Sequence, residues 1–157
     1  MEYTVRPAQT QDIAHLHRML CAIAALHAQE RPDIFRNGTS KYSTQQLQEL
    51  LQDPTYRIFT ADNGERVFGY VFCVVQSVSG HQLLQDKKEL YVDDLYVDPD
   101  CRGFGAATAL MQRAKEEAQA IGCDCLTLNV WNFPTSACGF YEKLGYTERK
   151  RCMELAL

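Results

Sequence analysis

The sequence predicts a mixed α/β domain, in which strands and helices alternate along the 157 residues of the chain. Two observations predict this class. Short segments rich in valine, isoleucine and aromatic residues alternate with longer segments whose apolar residues recur every three or four positions. Two kinds of glycine turn separate them, an Asn-Gly pair typical of a hairpin and an Arg-Gly-Phe-Gly segment directly before an alanine-rich stretch. No repeat, low-complexity stretch or linker divides the chain, so we expect residues 1–157 to form a single domain.

The first half of the chain is predicted to hold three strands and two helices. Pro7 ends the first strand because proline lacks the N–H that a sheet ladder needs. Thr10, and later Ser43 or its neighbour, precede the periodic apolar segments as helix caps. Asn63-Gly64 marks the hairpin, since both central residues of its turn need positive φ. In order, the elements are a strand at 3–6, a helix from 10, a loop at 30–43, a short helix from 43 or 44, and strands at 57–61 and 67–75.

The second half is predicted to hold three more strands and two more helices. A polar connection over 78–89 leads into it, and a glycine turn at 102–105 separates its first strand from its first helix. In order, the elements are a strand at 90–97, a helix at 104–121, a strand at 126–131, a helix at 136–144 and a last strand at 146–155.

Composition and charge argue against several function classes. The net charge is −4 and the isoelectric point is near 5.5, whereas nucleic-acid partners usually require a basic surplus. The longest apolar run, Met19–Leu26, is far shorter than the roughly 20 residues that span a bilayer. The seven cysteines include no CxxC pair, which favours free thiols over a zinc site. We therefore expect a cytoplasmic protein with no nucleic-acid partner, no membrane and no metal.

The glycine turn is the most informative segment of the sequence. It reads Arg102-Gly103-Phe104-Gly105-Ala106-Ala107 between a strand and a helix. A helix start has unpaired N–H groups and a partial positive charge, and glycines let an anion approach the main chain. A P-loop is excluded because no Gly-Lys-Ser/Thr follows, and a Rossmann turn fits poorly because Thr108 stands at the third glycine position. The segment therefore indicates a phosphate site, and a turn that merely packs closely is the alternative.

The turn resembles the Q/R-x-x-G-x-G/A signature of the GNAT superfamily of N-acetyltransferases. The segments D-D-L-Y-V-D-P-x-x-R-G before it and A-C-G-F-Y-E-K-L-G-Y after the next strand resemble the adjoining segments of that family, and the element order agrees over essentially the whole chain. The resemblance implies a mostly antiparallel twisted sheet with helices on both faces. It also implies that the strand ending at Val97 and the strand at 126–131 are parallel and splay apart to hold acetyl-CoA.

The resemblance assigns the cofactor contacts. The pyrophosphate of acetyl-CoA would lie on the turn formed by Arg102, Gly103, Phe104, Gly105, Ala106 and Ala107. The main chain of Leu95, Tyr96 and Val97 would pair with the pantetheine arm. Many family members carry asparagine where this chain has Pro134, and Asn132 stands two residues earlier as its possible replacement.

The chemistry requires a proton to leave the amine and a proton to reach the departing thiolate. Tyr141 matches the tyrosine that family members place near the sulfur, so it is the predicted acid; a tyrosine that only packs its ring is the alternative. Asp93 and Asp94 are the predicted base and substrate anchors, with Asp93 preferred as base or anchor and Asp94 as second anchor. Adjacent strand residues face opposite sides unless a bulge intervenes, and related enzymes often have one in this strand.

The expected acceptor is a small cationic amine. Residues 86–100 contain six acids and two lysines, and an acidic mouth would concentrate cations. The Asp93-Asp94 pair also resembles the Glu-Asp pair of polyamine N-acetyltransferases. We expect direct transfer in a ternary complex without metal or covalent intermediate, and a homodimer. A protein or peptide N-acetyltransferase and a non-catalytic CoA-binding module are the alternatives.

Overall fold

A computed structural model describes residues 1–134 and 136–157. Its elements follow the predicted order up to the last helix. A single 3₁₀ turn at Thr10–Asp12 precedes α1, and another at Pro99–Cys101 follows β4. The strands and helices are β1 (Thr4–Pro7), α1 (Ile13–Glu30), α2 (Thr44–Leu50), β2 (Tyr56–Asp62), β3 (Val67–Val78), β4 (Lys87–Val97), α3 (Ala106–Ala120), β5 (Cys125–Leu128) and α4 (Cys138–Lys143).

The five strands form one sheet in the order β1-β2-β3-β4-β5. The first three pairings are antiparallel and the pairing of β4 with β5 is parallel. The predicted hairpin joins β2 to β3, with Gly64 at φ 88° and its N–H bonded to the Asp62 carboxylate at 2.9 Å. The predicted mixed, mostly antiparallel sheet is therefore confirmed.

Helices cover both faces of the sheet, as predicted. On one face, α3 packs through Leu110 and Ala114 against buried residues of β3 and β4 such as Phe68 and Leu90. On the other face, α1 and α2 bury a second cluster: Leu16, Met19, Leu20 and Leu47 with Tyr70, Phe72 and Tyr96. These two buried clusters pack the central strands between the two helix layers.

The ends of several helices differ from the predictions by one turn or less. Ser43 caps α2 as expected, with its hydroxyl oxygen accepting from the N–H of Gln46 at 3.2 Å. Thr10 begins the 3₁₀ turn, and Asp12 is the residue that caps α1. The glycine turn delays α3 until Ala106, since Gly105 is left-handed at φ 83°. The sequence predicts the last helix over 136–144, and the structure has it at Cys138–Lys143. Thr135, the residue before the predicted start, lies outside the described residues.

The predicted sixth strand is wrong. Within the described residues, 146–157 form no strand, and the apolar side chains of Met153 and Leu155 are 88% and 85% exposed. Two ion pairs attach this segment, from Arg149 to Glu89 at 2.8 Å and from Arg31 to Glu154 at 2.6 Å. Alternation of apolar and polar residues specifies the faces of an extended segment, but a strand also needs a partner edge, which alternation does not specify.

Candidate active site

A β-bulge in β4 brings two carboxylates to one face of the sheet. Phe72 on β3 pairs with Asp94 and Cys73 pairs with Val92, so Asp93 is an extra residue without a partner. Beyond the bulge the alternation of side chains is shifted by one. The α3 face therefore receives the apolar residues of both halves of the strand: Leu90, Val92, Leu95 and Val97. The bulge considered from the sequence is confirmed.

The carboxylate of Asp93 is held by the loop between α1 and α2. The ammonium nitrogen of Lys41 lies 2.7 Å from its Oδ1, and the hydroxyl of Tyr42 donates to its Oδ2 at 2.9 Å. The ring of Tyr42 stacks on Phe72 at a centroid distance of 5.9 Å, which fixes that hydroxyl. Burial and the neighbouring carboxylate raise the pKa of Tyr42 far above its usual value. Asp93 is thus a carboxylate whose two oxygens are held in a fixed orientation.

The carboxylate of Asp94 has a different environment. The hydroxyl of Tyr70 on β3 donates to its Oδ2 at 3.2 Å. Burial raises the pKa of Asp94 to about 6, although the charge of Lys41 and the Tyr70 hydrogen bond lower it in part. A carboxylate with a pKa close to neutrality can accept a proton and release it again, as a general base must.

The edge of β4 opens beyond the bulge. The parallel ladder with β5 runs from Glu89 paired with Cys125 to Val92 paired with Leu128 and ends there. β5 itself ends at Leu128, three residues earlier than predicted. The last part of β4, residues 95–97, is paired on its β3 side only within the described sheet. The two strands are parallel neighbours, as predicted, and a gap begins directly beside the two acids.

The glycine turn follows at the end of β4. Gly103 and Gly105 have φ of 85° and 83°, and a Cβ at Gly103 would meet no atom within 4 Å. The turn is exposed, whereas Ala106 is buried against the core. The small side chain of this alanine therefore lets the first turn of α3 pack closely on the sheet. The Nε of Arg102 donates to the carbonyl of Val97 at 3.0 Å. Four of the six predicted turn residues, 102–105, are therefore exposed and Ala107 is partly so, whereas Ala106 is buried and does not contribute to this surface.

An ion pair between half-exposed Arg18 and buried Asp98 connects the segment before this turn to the first helix. The guanidinium of Arg18 on α1 donates two hydrogen bonds to the Asp98 carboxylate, at 2.9 and 2.7 Å. Asp98 is buried, and it immediately follows β4. Arg66 adds a second cation at 3.8 Å and also binds the Asp100 carboxylate. The sequence did not identify this contact, because no local pattern links residues 80 positions apart.

Tyr141 lies on α4 and packs against the α3 face of the sheet. Its ring contacts Phe140 and Tyr146 at centroid distances of 5.1 and 5.8 Å. Burial raises its pKa well above the usual value, and the charge of Asp94 adds to this effect. The hydroxyl therefore stays protonated at neutral pH, and the predicted acid lies within electrostatic range of Asp94.

Asn132 lies in the segment that follows β5, and its predicted cofactor contact stays a prediction. It is exposed between Trp131 and Phe133, whose rings stack at 5.9 Å. Trp131 also contacts Phe35 of the loop between α1 and α2, at a centroid distance of 4.9 Å. This aromatic group joins the loop to the segment after β5 and closes one side of the gap.

Metal sites and membrane-spanning helices are two further features that the described residues could contain. Among those residues, no three His, Cys, Asp or Glu side chains are grouped in a way that would hold a metal ion. No helix among them combines the length and apolarity that crossing a bilayer requires.

Comparisons with known proteins agree with this geometry. Residues 22–146 match the model of the Acetyltransferase (GNAT) family. The uncharacterised N-acetyltransferase YhfO of Bacillus subtilis is 32% identical over 148 residues, which cover 92% of this chain and 89% of YhfO. A tetramutant of the BH1408 protein from Bacillus halodurans has a similar crystal structure, with a TM-score of 0.92 at 27% identity over 98% of this chain and 99% of that one. The blasticidin-S acetyltransferase of Streptomyces morookaense is 40% identical over 58 residues, 36% of this chain and 41% of that protein.

Proposed function

The chain belongs to the GNAT family of acetyltransferases, and from this premise we propose that it transfers the acetyl group of acetyl-CoA to a primary amine of a small cationic molecule. The observation that carries the proposal is the bulge at Asp93, which brings two carboxylates with different environments to one face beside the gap between β4 and β5. The Asp93 carboxylate is oriented by Lys41 and Tyr42, and burial raises the pKa of the Asp94 carboxylate to about 6.

We propose that the turn at the start of α3 holds the phosphates of acetyl-CoA. The fit rests on the exposed turn, where Gly103 and Gly105 present main chain without a Cβ, and on the partial positive charge of a helix of 15 residues. Arg102 adds a fixed charge. Within the described sheet the stretch 95–97 has no strand partner on its β5 side, although the Val97 carbonyl accepts from Arg102, and this open edge supports Leu95, Tyr96 and Val97 as the contacts of the pantetheine arm. The cofactor supplies an activated acetyl thioester, and the remaining steps fall to the side chains.

Asp94 is our proposed general base. An alkyl amine with a pKa of about 10 is almost fully protonated at neutral pH, so its proton must be removed before it can attack. Asp94 combines a raised pKa with burial, whereas both oxygens of Asp93 are already engaged by Lys41 and Tyr42. This assignment reverses the preference drawn from the sequence, and it leaves Asp93 as the anchor of the acceptor.

Tyr141 is our proposed general acid. The thiolate that leaves after acetyl transfer needs a proton, and a phenol whose pKa is raised by burial keeps its proton until then. No covalent intermediate on the enzyme is required for this sequence of events. Asp94 would accept the proton that the ammonium loses, and the neutral amine would then attack the thioester carbonyl. The Tyr141 hydroxyl would protonate the sulfur as the C–S bond breaks, and the second proton that the nitrogen then loses would return Tyr141 to its protonated form.

The acidic character of the acceptor side supports a cationic acceptor, but fewer carboxylates contribute than the sequence suggested. Arg18 neutralises Asp98 and Arg66 binds Asp100, so these two acids belong to the turn rather than to the mouth. Glu89 is paired with Lys87 and Arg149, and Asp86 accepts from Gly80 in the loop before β4, which leaves Asp93 and Asp94. The similarity to blasticidin-S acetyltransferase supports a small molecule as acceptor, and the resemblance to polyamine N-acetyltransferases supports a diamine or polyamine.

A kinetic comparison tests the proposal. A five-carbon diamine and the amino alcohol of the same length differ only in the second positive charge. We expect the diamine to have the higher kcat/KM, and we expect this advantage to shrink in high salt because ions screen the carboxylates. Release of free CoA thiol measures the rate. A preference for the amino alcohol, or for a peptide N-terminus, would reject the cationic small molecule and favour a protein acceptor.

We also propose that the chain is a cytoplasmic homodimer. The exposed apolar side chains of Met153, Leu155 and Leu157 support a second copy as their cover, since an isolated monomer would leave them in water. Sedimentation velocity of the full chain measures the oligomeric state, and a single monomeric species at micromolar concentration would contradict the dimer.

A further inference from the structure

The loop between α1 and α2 places a cation of the chain itself on the proposed acceptor anchor. The ammonium nitrogen of Lys41 lies 2.7 Å from Oδ1 of Asp93 and 3.3 Å from the main-chain carbonyl oxygen of the same residue. These two oxygens form the surroundings that the ammonium of a cationic acceptor would seek. Lys41 and Asp93 are 52 residues apart in sequence, so the contact depends on the fold.

We propose that Lys41 is a specificity-determining residue: its ammonium occupies the acceptor's cation position at Asp93, and an acceptor binds by displacing it. This inference rests on the proposed function, because it concerns the same acceptor site. It adds that the Asp93 carboxylate always has an ammonium beside it, either that of Lys41 or that of the acceptor. The acceptor competes with a tethered ammonium, and its affinity is lower than the carboxylates alone would provide.

The difference in exposure between the two partners gives the exchange its direction. The side chain of Lys41 is 42% exposed, whereas that of Asp93 is only 13% exposed. Lys41 can rotate into water and recover its hydration, but Asp93 cannot. A cationic acceptor replaces the lost charge at Asp93, while a neutral acceptor would leave a largely buried carboxylate without a counter-ion. The exchange therefore selects for cations.

The neighbours of Lys41 allow this exchange without rearrangement of the loop. Tyr42 keeps its ring on Phe72 and its hydroxyl on Oδ2 of Asp93, so the carboxylate stays oriented after Lys41 leaves. Ser43 remains fixed as the cap of α2 through Gln46. Only the flexible lysine side chain has to move, and its motion lies in the nanosecond range of exposed side chains.

Replacement of the lysine tests the inference. In Lys41→Met the competing charge is lost and the apolar stem is kept, so we expect the five-carbon diamine to bind about three- to tenfold more tightly. Lys41→Arg retains the charge and should bind like the parent. The matched control is Lys87→Met, which removes a lysine that pairs with another acid of β4, Glu89 at 3.3 Å, away from the site.

Isothermal titration of each variant with the diamine, in the presence of CoA, measures this affinity without relying on turnover. The five-carbon diol serves as the neutral ligand, and because it gains no charge interaction with Asp93 it should show no measurable binding to the parent or to Lys41→Met. Equal or weaker diamine binding by Lys41→Met, or the same gain in Lys87→Met, would overturn the inference. If Lys41→Met gains affinity as expected but the parent acetylates no amine, the inference stands and the proposed acceptor function fails.

Discussion

The cofactor side and the acceptor side of the site are built from different parts of the chain. The cofactor side is one continuous segment, residues 95–107, and it presents mainly main-chain groups and a helix start. The acceptor side is assembled from side chains of three separate segments: Lys41 and Tyr42 before α2, Tyr70 on β3, and the acids of β4. The cofactor side exposes main-chain N–H groups to water, whereas the carboxylates of the acceptor side are already bonded to Lys41, Tyr42 and Tyr70.

This difference separates what local sequence can specify from what only the fold can specify. A site built from main-chain groups needs side chains that are absent or small, and glycine and alanine can be recognised in a short segment. A side-chain site needs partners at given distances, and those partners come from anywhere in the chain. If the comparison holds, substitutions on one side should leave the other side's ligand unaffected.

The largest expected effect is on the acceptor side. Asp94→Asn keeps the size of the side chain but removes its ability to take a proton, so we expect kcat/KM to fall by about 10²–10⁴-fold, the range of general bases. The affinity for acetyl-CoA should stay within twofold of the parent, as judged by titration. A variant with parental kcat/KM would remove Asp94 from the chemistry and return Asp93 as the candidate base.

The pH dependence of the parent sharpens the same assignment. With the pKa of Asp94 raised to about 6, kcat/KM should rise as pH increases through about 6, and this limb should be absent in Asp94→Asn. Stability should change in the opposite direction. The folded-state pKa lies above the unfolded value, so protonation favours the folded chain, and the parent should lose stability between about pH 4 and pH 6 relative to the variant.

The next effect concerns Tyr141, which lies between the two sides. Tyr141→Phe keeps the ring contacts with Phe140 and Tyr146 but removes the proton donor. We expect kcat to fall about 10²-fold while the affinity for acetyl-CoA is unchanged. Pre-steady-state measurement of CoA release separates the acetyl-transfer step from the binding of acetyl-CoA. Unchanged kcat across the whole pH range would show that the tyrosine only packs.

The smallest effect is expected on the cofactor side. Thr108 is exposed in the first turn of α3, three residues after the cap Gly105. In Thr108→Glu a negative charge faces the proposed phosphate position, so we expect acetyl-CoA to bind about tenfold more weakly. The same charge favours the helix start by about 0.3–1 kcal/mol, so the melting temperature without ligand should not fall.

Thr108→Gln is the matched control, because it adds the same length without charge. Equal acetyl-CoA affinity for both variants and the parent would contradict the phosphate position. Gly105 is less suited to this test. At φ 83° a valine would strain the backbone itself, so lost binding in Gly105→Val would not distinguish a blocked phosphate from a distorted turn.

The sequence predicted the cofactor side more completely than the acceptor side. The turn, the helix after it and the parallel pairing of β4 with β5 followed from short segments, and the structure agrees with them. The adjacent acids were also found. Their environments were not, because the raised pKa of Asp94 depends on its burial in the fold, and Lys41 lies in a loop whose sequence shows no periodicity.

The errors at the C-terminal end have a related physical cause. Residues 146–155 alternate like a strand, and the predicted strand at 126–131 continues the apolar pattern past its observed end at Leu128. Both predictions assumed that suitable side chains imply a paired main chain. Pairing depends on which edge is available, and here β5 separates from β4 where the site begins.

The bulge in β4 has a consequence at the level of the gene. The strand reads Leu90-Tyr91-Val92-Asp93-Asp94-Leu95-Tyr96-Val97, two copies of Leu-Tyr-Val around the acids. The two copies begin five residues apart, an odd number, so in a regular strand the second copy would face the opposite side of the sheet. The bulge at Asp93 shifts the alternation by one residue and returns the second copy to the same face as the first. Deleting the codon of Asp93 would leave a regular strand whose apolar faces still match. A single triplet therefore separates a plain structural strand from one that carries two adjacent carboxylates on one face, the pair to which we assign the roles of anchor and base.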